Sequence, residues 1–163
     1  MKLAVTDANI FIDLIHLDLI NAFFSINLNI YTTHEILEEL NENQQAIITL
    51  FETKNQIKIE SPIHSSNQDL KIPTTRLSSS DISAIILASQ LNAKILSGDR
   101  LLRKIAEENK IEVNGILWII ESMIFAKIIS SEIACEKAQL LMKLNKRMPA
   151  DECKAKIVAW KKC

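Results

Sequence analysis

Four acidic residues, Asp7, Glu39, Asp81 and Asp99, come from separate segments that a sheet can bring to one edge. Asp7 follows the apolar run Leu3-Ala4-Val5 and precedes a stretch in which Ala8, Phe11, Ile12 and Ile15 share one helix face, so it ends a strand and starts a helix. Asp99 follows a strand across Ser97 and Gly98, Asp81 opens a helix behind three serines, and Glu39 lies two turns into a helix. In open α/β sheets ligands bind beyond the carboxyl ends of the strands, and right-handed crossovers return strand-to-helix junctions to that edge. Ionised carboxylates ~4 Å apart repel by about 4 kcal/mol per pair at an effective dielectric of ~20, so the four together need a counter-cation. Mg²⁺ or Mn²⁺ answers that need, since both prefer oxygen ligands and bind through a few carboxylates plus substrate phosphate. Such an ion activates water and stabilises charge on a phosphodiester, so the chemistry these residues imply is phosphodiester hydrolysis. Asn9 and Ser97 stand beside the acids as neutral hydrogen-bonding groups, and Arg100, Arg103 and Lys104 follow Asp99 where they can meet a phosphate backbone.

The elements that position these residues alternate. After the first helix a helical pattern continues over Leu17 to Phe24, and Asn27 to Asn29 marks a turn before a strand at Ile30 to Thr32. Thr33 is an N-cap without a capping box, because the position three residues on is the apolar Ile36. HEILEEL follows as a helix, Asn41 to Asn43 interrupts, and a further helix runs from Gln44 to Glu52 before a strand at Gln56 to Glu60. Ser61 to Thr75, with Pro62, Ser65, Ser66 and Pro73, reads as a surface loop. Ser78 to Ser80 then cap DISAIILASQL, Asn92 ends it, and a strand spans Ala93 to Leu96. The helix beginning at Asp99 turns Leu101, Leu102, Ile105 and Ala106 inward, a last strand covers Ile111 to Val113, and an apolar helix runs from Ile116 to Ala126. Amphipathic helices over Ser131 to Leu144 and Ala150 to Trp160 close the chain. Strands alternating with helices give an α/β fold with a parallel sheet covered on both faces.

Composition bounds the partners. The 163 residues are 48% hydrophobic with 2 Gly and 3 Pro, which leaves little room for linkers or low-complexity tails. With 19 basic and 20 acidic side chains the net charge is -1, so a nucleic-acid partner would be held by a local patch or a cation rather than by a global basic surface. Cys135, Cys153 and Cys163 are odd in number and unpaired in spacing, which indicates reduced thiols in a cytoplasm rather than a zinc ribbon or a disulfide framework. No signal peptide or membrane span is apparent, and a soluble intracellular protein is expected. His16, His34 and His64 lack ligand spacing, Trp118 and Trp160 read as core or interface, and Asp13 and Asp18 read as solvated surface.

The segments VTDANIFIDL, THEILEEL, SSSDISAIILAS and ILSGDRLLRKIAEEN with VNGILWII together resemble the PIN-domain family, in the family's order, over about Met1 to Ala126. The resemblance implies a three-layer α/β/α sandwich with strand order 3-2-1-4-5, forming a nuclease domain over residues 1–126. Residues 127–163 then form a C-terminal helical extension packed on the same domain. It implies a Mg²⁺- or Mn²⁺-dependent endoribonuclease acting on RNA, a homodimer, and, for toxin members of toxin–antitoxin pairs, an antitoxin partner. Asp7, Glu39, Asp81 and Asp99 match the acidic quartet, Asn9 and Ser97 the supporting polar positions. Asp81 stands where many members have Glu, and Glu38 adjoins Glu39; the apolar Leu40 after Glu39 selects the latter. Taken singly, Asp81 and Asp99 read as helix N-caps. A phosphatase of the haloacid-dehalogenase kind would need a second Asp where this chain has Asn9. The alternative of a different class is a catalytically inactive PIN-fold module that binds RNA or protein.

Overall fold

The computed structural model describes residues 2–64 and 69–162. Five strands, β1 (Lys2–Thr6), β2 (Leu28–Thr32), β3 (Ile57–Ile59), β4 (Lys94–Leu96) and β5 (Val113–Asn114), pair in parallel in the order β3-β2-β1-β4-β5, the order expected. Among the described residues there are nine helices: α1 (Ala8–His16), α2 (Ile20–Phe24), α3 (His34–Glu38), α4 (Glu42–Thr53), α5 (Ser79–Leu91), α6 (Arg100–Glu108), α7 (Ile116–Phe125), α8 (Ser131–Leu144) and α9 (Ala150–Lys161). From β1 the chain steps outward through β2 to β3, then returns through α5 to β4 on the other side of β1. Right-handed crossovers therefore place α1, α2 and α4 on one face and α5 and α6 on the other, while the short α3 packs against α5. The packing agrees, with α1 against α4, α2 against α7, and α5 against β1 and β4.

The middle strand is apolar because both of its faces are covered: Ala4 and Val5 are fully buried, as is Ile95 in β4. On one side Phe11 and Phe23 meet edge to face, and Phe24 stacks on Phe51 with centroids 4.1 Å apart. On the other, α5 carries Ser83, Ala84, Ile85, Ile86, Leu87 and Ala88 buried in succession, a helix covered on nearly every side. At the β5 edge Lys94 is buried. Its Nζ donates to Glu112 at 2.7 Å and to Asn114 at 2.8 Å and lies 4.3 Å from the Trp118 ring, so the shortest strand is held partly by side chains. No described helix is long and apolar enough to cross a membrane.

Several boundaries differ from expectation. The helical pattern over Leu17 to Phe24 is broken by a turn at Asp18, and β2 begins at Leu28, inside the expected turn. The interruption expected at Asn41 to Asn43 falls at Glu39 to Asn41 instead, because the side chains of Asn41 and Gln44 form a capping box that starts α4 at Glu42. Thr33 caps α3 by accepting from the Ile36 N–H, with nothing returned, as expected. Asp13 is half-buried rather than solvated: it accepts from Asn145 Nδ2 at 3.1 Å, and burial pushes its carboxyl above the usual range. Of the expected surface loop, Ser65 and Ser66 lie outside the described residues, as does Cys163; the described flanks are tied down by Gln90, which bonds both backbone groups of Ile63, and by Asn109, which does the same to Lys71.

Five helices end in the same way. Asp18, Asn55, Asn92, Lys110 and Lys127 have φ between 49° and 62°, and the residue after each donates back to a carbonyl five positions earlier, closing α1, α4, α5, α6 and α7. Only 2 glycines exist in the chain, so these left-handed positions are filled by side-chain-bearing residues. The left-handed conformation costs an L-residue roughly 1–2 kcal/mol, whereas glycine's extra unfolded-state entropy costs about 0.5–1. Lys110→Gly and Lys127→Gly are therefore each expected to stabilise the fold by roughly 0.5–1 kcal/mol in urea unfolding. A loss in both variants would show that the lysine side chains contribute more than their backbone strain.

The last two helices belong to the same apolar cluster as the sheet: Ala134, Cys135, Ala138 and Leu141 of α8 and Cys153, Ile157 and Trp160 of α9 are buried with it. Cys135 and Cys153 are free thiols between these helices, donating to the carbonyls of Ile157 and Ala138. Glu121 of α7 accepts from Lys156 at 2.9 Å and from Trp160 Nε1 at 3.3 Å, fixing α9. Trp160→Ala is expected to cost about 3–5 kcal/mol while leaving one cooperative transition. A separate early melting of helix alone would mark α8 and α9 as an independent unit.

Candidate active site

Parallel pairing of Thr6 with Leu96 brings the residues that follow, Asp7 and Ser97, side by side at the carboxyl edge of the sheet. Asp7 caps α1 and is only 4% exposed. Its Oδ1 accepts from the Ala8 N–H at 2.7 Å and its Oδ2 from Ser97 Oγ at 2.8 Å. Ser97, fully buried, in turn accepts from the Asp99 N–H at 3.1 Å, so one hydroxyl ties Asp7 to the start of the Asp99 turn. Asp99 is the N-cap of α6, its Oδ1 accepting from the Leu102 N–H at 2.8 Å.

The other two acids form a second group. Asp81 is the third residue of α5 and closes a capping box with Ser78: Oδ2 accepts from the Ser78 N–H at 3.1 Å and from Ser78 Oγ at 2.7 Å. Glu39 does not lie two turns into a helix. The α3 helix ends at Glu38 and Glu39 is its exposed C-cap, because Asn41 already begins the next helix. Its Oε1 accepts from Ser80 Oγ at 2.6 Å, and Ser80 Oγ stands 2.9 Å from Ser78 Oγ.

Asp81, Asp99 and Glu39 each engage one carboxylate oxygen with the protein, and no described residue hydrogen-bonds the other. Burial pushes the Asp7 carboxyl up to about 6; the hydrogen bonds from Ser97 and Ala8 oppose the rise, and the charges of Asp81 and Glu39 add to it. Both of those acids thus lie within electrostatic reach of Asp7, while Asp99 reaches it through Ser97.

The remaining expected residues are placed differently from one another. Asn9 is exposed in the first turn of α1, and Arg100 is exposed at the first residue of α6. Arg103 instead turns toward β5: Nη1 donates to the Val113 carbonyl at 2.7 Å and lies 3.8 Å from Glu107. Sequence reasoning treated Ser78 and Ser80 only as caps. The signal that could have separated them is the pair Ser80 and Ser83, one helical turn apart on an otherwise apolar helix.

Among the described residues no three His, Cys, Asp or Glu side chains converge closely enough to form a ready cation cage. The donor chemistry nevertheless fits a hard divalent ion. Every candidate is a carboxylate, no described residue hydrogen-bonds the second oxygen of each outer acid, and no described cationic side chain pairs with the buried Asp7. Mg²⁺ and Mn²⁺ sites of this kind use one or two carboxylates directly and complete their shell with water and substrate phosphate.

A parallel sheet of order 3-2-1-4-5 between helical layers, with acids gathered at its carboxyl edge, defines a PIN-like α/β protein. A PIN domain family model matches residues 3–161, and the chain belongs to the PIN-domain family. The match continues through α8 and α9, beyond the segments that carried the resemblance in the sequence. The chain is 34% identical over 92 residues to Endoribonuclease Nob1 of Methanocaldococcus jannaschii, an alignment covering 54% of this chain and 46% of that protein. It thus spans under half the length of that curated relative. A PilT N-terminus domain protein from the hyperthermophilic archaeon Sulfolobus solfataricus P2 shares the fold, with a TM-score of 0.50, 15% identity, and coverage of 76% of this chain and 94% of the other.

The raised Asp7 carboxyl sets a stability test. A folded value near 6 against 3.8 means the folded state binds the proton more tightly, so Asp7's contribution is neutral below about pH 4 and falls as the pH rises toward 6. Above that window the ionised acid costs roughly 3 kcal/mol. Without divalent ions, Asp7→Asn is expected to resist urea better than wild type at about pH 8 and to match it at about pH 4. Equal behaviour at both pH values would show that Asp7 is not held at the expense of stability.

Proposed function

We propose that this protein is a divalent-metal-dependent endoribonuclease that hydrolyses RNA phosphodiesters. The observation that carries the reading is Asp7, an acid held 4% exposed at the carboxyl edge by Ser97 and the Ala8 N–H, within electrostatic reach of two further acids and with no described cationic side chain paired to it. A folded protein keeps so costly an arrangement where a site needs it. The membership of the PIN-domain family and the likeness to an endoribonuclease support the same reading.

Asp7, Glu39, Asp81 and Asp99 are the residues that would hold Mg²⁺ or Mn²⁺. When bound, the ion supplies positive charge at the scissile phosphate and lowers the pKa of attacking water. The chain's own residues do the rest. Ser97 fixes Asp7 and the Asp99 turn in one frame, so the two acids keep their separation as a substrate enters. The N-termini of α1 and α6 aim backbone N–H groups toward the same edge and favour a phosphate there. Asn9 offers an amide, and Arg100 a free guanidinium at the mouth, for the RNA backbone. Arg103 acts at one remove, since its bond to Val113 anchors β5 beside the Ser97 turn. In its narrower form the reading makes the chain the toxin of a toxin–antitoxin pair, silenced by an antitoxin that covers this edge.

A non-cleaving binding module of the same fold is favoured by one observation, the absence of three convergent acids among the described residues. Cleavage of a labelled mixed-sequence RNA separates the two. Wild type is expected to cut with Mg²⁺ or Mn²⁺ and not with EDTA, and Asp7→Asn and Asp99→Asn are each expected to lower the rate by at least about a hundredfold, as removal of a group acting in the transition state does. RNA binding without cutting under any metal would assign the module.

A further inference from the structure

Glu39 presents a physical problem. It is exposed and follows a helix of only five residues, so neither packing nor a helical backbone fixes its side chain. A glutamate loses up to roughly 1.5–2 kcal/mol of rotamer entropy when ordered, and something must offset that before it can serve as a ligand.

The neighbouring helix supplies the hold at two points. At one end of α3, the N-cap Thr33 meets Ser83 of α5, Oγ1 to Oγ, at 2.7 Å. At the other, Glu39 accepts from Ser80 of α5 at 2.6 Å, a length typical of a charge-assisted O–H···O⁻ bond. Ser80 and Ser83 are one turn apart on α5 and bonded to each other, Ser83 Oγ donating to the Ser80 carbonyl at 2.8 Å. Ser80 is itself 2% exposed, so its hydroxyl has few other places to turn. A hydroxyl has one proton, and here Ser80 gives its own to Glu39 while Ser78 gives its own to Asp81.

We propose that Ser80 is a positioning residue for the cation site: its buried hydroxyl fixes one oxygen of Glu39 and leaves the other free to face the ion. Ser83 does the structural half of the work, locking α3 to α5, and touches no acid of the site. The inference rests on the metal reading above. It goes beyond that reading by giving the one exposed acid of the four a specific partner on another helix.

Mn²⁺ binding, followed through the EPR signal of the free ion, tests it. Supporting hydrogen bonds to ligands are worth about 10–100-fold in metal affinity, so Ser80→Ala is expected to weaken Mn²⁺ binding at least about tenfold. Ser80→Thr, which keeps the hydroxyl, is expected to restore it, and Ser83→Ala to leave it within about twofold. In a Glu39→Gln background the Ser80→Ala change is expected to add nothing, since the two act as one unit. An equal loss with Glu39 intact or replaced, or none at all, would overturn the proposal. If wild type binds no Mn²⁺, the metal reading fails by itself, and crystals of Ser80→Ala then decide this one: a Glu39 carboxylate still in place overturns it, and one released into solvent sustains it as a positioning contact.

Discussion

The buried carboxylate of Asp7 is the constraint from which the rest of the molecule follows. An acid at the end of the central strand must be surrounded by donors, and the two that serve it come from the first turn of α1 and from the adjoining strand. Ser97 reaches it because β4 lies beside β1 in parallel register, Leu96 opposite Thr6. That pairing requires the chain to go out through β2 and β3 and come back, which fixes the strand order and sends α5 across the opposite face. The apolar middle of the sheet then stabilises a fold whose edge carries an unfavourable charge.

The same economy recurs in the other acids. Asp99 and Asp81 start helices, where the backbone N–H groups need acceptors and the helix dipole favours negative charge. One oxygen answers that local need and holds the side chain in a single orientation. The second oxygen is left without a described hydrogen-bond partner. Capping thus fixes the orientation of both side chains. Glu39, which lies at a helix end where a negative charge gains nothing from the dipole, requires a side-chain partner instead.

Much of this was legible in the residues. The alternation of Leu3-Ala4-Val5 with the periodic run after Asp7, and of Ala93 to Leu96 with the run after Asp99, fixed both junctions that meet at the site. The α8 helix was readable to its terminal residues, Ser131 and Leu144. Legibility failed where elements are too short to show a period. With five residues α3 has barely more than one turn, so a pattern through Leu40 looked like one helix when Asn41 had already begun another. At the last strand, Ile111 looked like part of a β run because it is apolar. It is buried as the closing contact of the α6 terminus, its N–H bonded to the Ala106 carbonyl after Lys110 turns left-handed, and pairing starts two residues later. The link between Ser80 and Glu39 spans 41 positions, and no local pattern announces it.

The outermost strands have a bearing on how copies of this chain can meet. One border of the sheet is the three-residue β3 and the other the two-residue β5, each with a lysine at or beside it, Lys58 over the Tyr31 ring and Lys94 against Asn114. Borders so brief offer few unpaired backbone groups in a row, which is how soluble sheets avoid templating one another into fibrils. Self-association by adding strand to strand is therefore discouraged at both ends.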